Sequence, residues 1–133
     1  MKKNNHLILA KEWFEAADRD LSDAILLGKE GGHPETICFH CHQAVEKYLK
    51  GFLVLNDQDI KDEFKIHDLS RLLGYCAKFK PDLGELKDGC ETLNKYYLQS
   101  RYPSYALQDY SDKAVKQALE FAGEVKEKIL ASL

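Results

Sequence analysis

Apolar residues recur every three or four positions along most of the chain, the period of helices that bury one face. Over residues 7–28, Leu9, Trp13, Ala17, Leu21 and Ala24 make such a stripe, and Glu12, Glu15, Asp18 and Asp23 lie off it. Gly28 and then Gly31-Gly32 predict its end, since glycine readily takes the left-handed turn that closes a helix. A second helix is expected over Pro34–Leu55, with Pro34 at its first position and Glu35 complementing the positive N-terminus. Ile37, Cys41, Ala44, Tyr48, Phe52 and Leu55 carry its stripe; Val45, Leu49 and Leu53 widen it, which predicts a central helix with two neighbours. Residues 57–66 read as a polar connection. His67-Asp68 predicts the cap of a shorter helix to about residue 79, with Leu69, Leu72, Leu73 and Cys76 inward and Pro81 beyond it. A fourth helix is expected over residues 83–99 on Leu86, Cys90, Leu93 and Tyr97, although Gly84 and Gly89 interrupt its first half. Ser100-Arg101-Tyr102-Pro103 breaks it and opens a Tyr-rich loop. Ser111 predicts the cap of a last helix in which Val115, Ala118, Ala122, Val125 and Ile129 face inward. The expected fold is all-α: an up-and-down helical bundle of four long helices and one short one.

Composition supports this reading. Val, Ile and Thr together supply 12 of 133 residues, whereas Leu alone supplies 19 and Ala 11, a helix-former's balance. The length fits one domain, expected over residues 1–133. No apolar run approaches the ~18 residues of a spanning helix, and Lys11, Glu12 and Glu15 break any export leader behind the Met-Lys-Lys start. A cytoplasmic protein is expected, and its four Cys are expected to be free, buried thiols. The net charge of −3 argues against coating nucleic acid by bulk charge, while leaving room for a local basic site. Sixteen of the 19 basic residues are Lys, so Arg19, Arg71 and Arg101 stand out.

Three patches carry a resemblance. The first is Ile37-Cys38-Phe39-His40-Cys41-His42-Gln43-Ala44-Val45-Glu46-Lys47-Tyr48-Leu49-Lys50; the second is His67-Asp68-Leu69 with Leu72-Leu73; the third is Ser100-Arg101-Tyr102-Pro103. In this order, behind a first helix carrying Trp13, Ala16, Asp20 and Leu21, they resemble the HEPN domain family, above all its small stand-alone prokaryotic members. The resemblance runs from about residue 10 to residue 125. It implies a helical bundle of four or five helices, usually a homodimer with a cleft between subunits that takes nucleotide or RNA phosphate. It also implies a minimal nucleotidyltransferase as partner in a toxin–antitoxin pair. A ribonuclease branch of the family uses an Arg followed four to six residues later by a His. The Arg forks onto the phosphate and the His moves a proton near neutral pH. This sequence departs from that motif: its last His is His67, so neither Arg71 nor Arg101 has one after it, and Arg19 has none before His33. Tyr105 and Tyr110 follow Arg101 at four and nine positions, a poor substitute. Self-sufficient RNA cleavage is therefore not expected.

The candidate site is Arg101 holding phosphate, with Tyr102, Tyr105 and His40 lining the pocket; the bland alternative is an Arg capping the preceding helix. His40 and His67 are the candidate acid/base groups, against structural roles as a bundle hydrogen bond and a cap. Lys47 and Lys50 read as a solvated face, and Glu46 with Lys50 as an ordinary helix pair one turn apart. Cys38, Cys41 and His42 share a helical face and could join Cys76 or Cys90 around zinc, but Cys41 belongs to the core stripe, so no metal and no cofactor is expected. Trp13 is expected in the core or a dimer interface, the latter built from the first helix and the loop after Arg101.

Overall fold

The computed structural model describes residues 2–56, 66–99 and 110–133. Its helices are α1 (Lys2–Lys29), α2 (Pro34–Leu55), α3 (Leu69–Ala77), α4 (Lys87–Gln99) and α5 (Asp112–Ala131), with a 3-10 helix, Pro81–Leu86, before α4. No strand occurs among the described residues, and the fold is the expected all-α bundle. None of the described helices is long and apolar enough to cross a membrane.

Local chemistry sets the ends. Gly31 takes φ +74°, and the Gly32 amide donates to the Leu27 carbonyl at 2.6 Å, closing α1. Pro34 then opens α2 at once. Asp68, not His67, is the cap of α3: its Oδ1 accepts from the Ser70 and Arg71 amides at 3.0 and 3.3 Å. Asn94 of α4 locks that cap in place, accepting from the Leu69 amide at 2.7 Å and donating to Asp68 at 2.9 Å. Ser111 caps α5 by accepting from the Ala114 amide.

α2 packs against α1, α3, α4 and α5. Its cross-contacts run in opposite senses along the two chains: Lys47 meets Asp20, Tyr48 meets Asp18, and Gly51 meets Phe14. α1 and α2 are therefore antiparallel. Gly51 permits the close approach, since a Cβ there would lie 2.6 Å from Phe14 Cε1.

The predicted inward residues of α2, α3 and α5 are buried, apart from Leu55 and Val115 at the core's edge. Three expectations are corrected. The fourth helix does not begin at residue 83: Pro81 through Leu86 wind as a 3-10 helix, with Leu83 and Leu86 buried, and the α-helix starts at Lys87. Leu9 is not a core residue; Ala10 is, and α1 begins two turns earlier than its apolar stripe suggests. Lys50 is not on a solvated face: it is 1% exposed, and its pairing with Glu46 is a buried one.

Candidate functional site

The polar residues of α2 at 42, 46 and 50 recur every four positions, so they stack along one side of the helix. α2 is covered on that side, and all three are buried. Lys50 Nζ donates to Glu46 Oε2 at 3.0 Å and sits 5.6 Å from the centre of the Trp13 ring on α1. The other oxygen, Oε1, lies 3.1 Å from Nδ1 of His67 and 3.9 Å from Nδ1 of His42. One buried carboxylate thus meets a lysine on one oxygen and faces two histidines with the other.

His67 arrives from the segment just before α3, and its side chain is 41% exposed. A carboxylate offers only acceptors, so the His67 Nδ1 carries the proton it donates to Glu46. In the neutral ring its Nε2 then presents a lone pair, the tautomer a general base requires. The His67 ring stacks on Tyr97 of α4, with centroids 4.6 Å apart and planes 16° apart. Tyr97 also contacts His42 at 5.2 Å and Phe39 at 6.2 Å between ring centres.

His42 is fully buried, and neither ring nitrogen meets a partner in full hydrogen-bonding geometry. Burial pushes its pKa down to about 4, against the upward pull of Glu46, the His67 backbone and the Gln43 side chain. The ring is neutral at physiological pH.

The two candidate acid/base histidines fall in different settings. His40 faces α1, its Nδ1 3.7 Å from Asp20 Oδ1, and Asp20 is already engaged by Lys47 at 2.6 Å. His67 is the one held by Glu46 and stacked on an aromatic ring. Arg101, Tyr102 and Tyr105 lie outside the described residues.

The sequence reading missed His42, Glu46 and Tyr97 as neighbours of His67. The signal was present in α2, whose apolar residues occupy so much of its circumference that polar residues at 42, 46 and 50 had no open side left. The thiols are not reactive groups: burial pushes Cys38, Cys41 and Cys90 up to about 12, and Cys76 is raised as well. No cluster of three or more His, Cys, Asp or Glu among the described residues is arranged to hold a metal ion.

The bundle agrees with comparison to known proteins. The HEPN domain profile matches residues 10–132, and the chain belongs to the HEPN domain family. It is 27% identical, over 90% of its own length and 85% of the relative's, to the Methanocaldococcus jannaschii protein named "Putative toxin MJ1304". Its fold matches the crystal structure of the archaeal HEPN homologue ST0689 with a TM-score of 0.72 at 22% identity, covering 92% of this chain and 96% of that one.

Proposed function

We propose that this HEPN chain is the toxin-type member of a two-protein system, a homodimer that binds nucleotide or RNA phosphate and answers to a minimal nucleotidyltransferase. Family membership and the likeness to a protein named as a toxin support the class. The observation that carries the ligand is the His67–Tyr97 stack: a half-exposed imidazole, fixed from below by Glu46, against an aromatic ring four positions ahead of Arg101 in sequence. Such an edge offers a hydrogen-bonding group and a stacking surface for a base, with Arg101 as the phosphate-holding residue and Tyr102, Tyr105 and His40 as further lining.

A second reading, metal-independent RNA cleavage, is favoured by one geometric fact. Glu46 orients His67 in the tautomer that leaves Nε2 free to take a proton, the arrangement by which a carboxylate serves a catalytic histidine. His67 would then supply what the missing motif His does not.

Short labelled RNAs in EDTA test both readings, comparing wild type with Arg101→Ala, His67→Gln and Tyr97→Ala. Binding without cutting, weakened in all three variants, is the expected result. Cutting that disappears in His67→Gln and Arg101→Ala supports the ribonuclease reading. No affinity for RNA or free nucleotides would leave a protein-interaction module and overturn the site.

A further inference from the structure

α1 carries apolar side chains that its own protomer leaves uncovered. From residue 5 on, where burial is described, Ala10 is the first buried residue of α1, so the turn carrying Leu7 and Ile8 lies outside the bundle's core, with these side chains 55% and 60% exposed. They precede residue 10, where the HEPN match begins. Near the other end of α1, Ile25 and Leu26 are 42% and 56% exposed. Ile8 and Leu26 are 18 positions apart, which at about 3.6 residues per turn is five full turns. The two patches therefore lie on one line along the helix.

The residues between them complete a seam. Ile8, Glu12, Glu15, Arg19, Ser22 and Leu26 alternate steps of four and three, the spacing of a helix face that packs along a second helix. All six are exposed, opposite the stripe of Ala10, Ala17, Leu21 and Ala24 that faces the core. Single scattered surface apolar residues carry no message, but two exposed apolar ends on one helix line, with opposite charges between them, form a pattern.

The seam is complementary to itself when reversed. If two copies of α1 run antiparallel about a two-fold axis level with residue 17, Ile8 meets the other copy's Leu26, Glu12 its Ser22, and Glu15 its Arg19. Each layer then occurs twice by symmetry, as an isologous interface requires. The charges oppose in sign at the centre, and both apolar ends are covered at once. Among the described residues of its own protomer Arg19 makes no ion pair, and Glu15 pairs with Lys11 alone, at 4.0 Å. A lipid surface is a poor occupant, because Glu12 and Glu15 stand in the middle of the line.

We propose that α1 is the self-association surface of this protein, pairing antiparallel with a second copy in the register Ile8 on Leu26, Glu12 on Ser22 and Glu15 on Arg19. The proposal rests on the homodimer reading above and assigns its interface and register.

The test is the oligomeric state of the full chain by sedimentation equilibrium. Wild type is expected as a dimer. Ile8→Glu with Leu26→Glu raises the dimer dissociation constant by at least about tenfold; both residues are exposed, so the helical circular dichroism stays that of the wild type. Glu15→Arg and Arg19→Glu each weaken the dimer, and the two together restore it. Register is read by oxidising Glu12→Cys/Ser22→Cys. These positions are ~15 Å apart along one helix, beyond disulfide reach, so a disulfide between them joins two copies. The four native thiols are buried and stay silent. A dimer that none of these changes affects overturns the α1 interface and leaves the homodimer reading standing. A monomeric wild type at high concentration overturns the homodimer reading itself.

Discussion

Glu46 holds Lys50 at 3.0 Å and His67 at 3.1 Å, one on each carboxylate oxygen, and of the three His67 is the one that reaches the surface. A buried carboxylate with one cation fixed on its inner side has its charge largely answered, and its outer oxygen is free to orient an imidazole. The carboxylate that pairs with Lys50 within α2 and the group that positions His67 are thus the same residue.

Removing one partner of a buried ion pair leaves the other uncompensated. Glu46→Gln is expected to destabilise the fold by about 3–5 kcal/mol, measured by urea unfolding. Glu46→Gln with Lys50→Met is expected to cost less than the sum of the two single changes. A strictly additive pair would mean that Lys50 draws its stabilisation from elsewhere.

His42 makes stability depend on acid. Above pH 6.5 the imidazole is neutral in both the folded and unfolded chain. As pH falls from 6.5 to about 4, the unfolded chain takes up a proton that the buried ring refuses, so stability falls. The loss attributable to this group is on the order of 3 kcal/mol once pH is below the folded value. Replacing His42 with Gln should flatten the stability–pH slope across this window. An unchanged slope would show that the folded ring takes up its proton as readily as the unfolded one.

The α1–α2 approach at Gly51 leaves no room for a methyl group. A Cβ there would sit 2.6 Å and 2.8 Å from two carbons of the Phe14 ring and 3.1 Å from Trp13 Cβ. Gly51→Ala is expected to destabilise by about 1–3 kcal/mol through overpacking, read as a lowered urea midpoint at unchanged m-value. A neutral result would mean that Phe14 swings aside without cost.

Asp68 joins two elements through one oxygen, capping α3 and accepting from Asn94 of α4. Asp68→Ala is expected to cost about 1–2 kcal/mol, and Asn94→Ala in the same background to add less than it costs alone. Hydrogen exchange at the Ser70 and Arg71 amides should quicken first. If it does not, the cap does not limit opening of α3.

The helices were legible in the sequence because apolar spacing and end signals agreed: Gly31 after α1, Pro34 at the start of α2, Asp68 and Ser111 as caps. The start of the fourth was not, because Leu83 and Leu86 fit a 3-10 turn as well as an α-turn, and no side-chain pattern distinguishes the two over so few residues. The candidate site was legible only in part. His67 stood out as a residue type, but its partner Glu46 is 21 positions away and looked like half of a surface ion pair. Charge and spacing describe a helix surface; whether that surface is covered depends on the elements packed over it, here the segment at His67 and the ring of Tyr97. Lys50 was misread for the same reason.

The buried thiols have a consequence for how the molecule can be watched. Cys38 and Cys41 report on α2, Cys76 on α3 and Cys90 on α4, and each is inaccessible and strongly protonated while the bundle is closed. Alkylation must therefore wait for an opening event, and its rate counts such events helix by helix. The wild-type chain carries four internal clocks, and their relative pace gives the order in which its helices loosen.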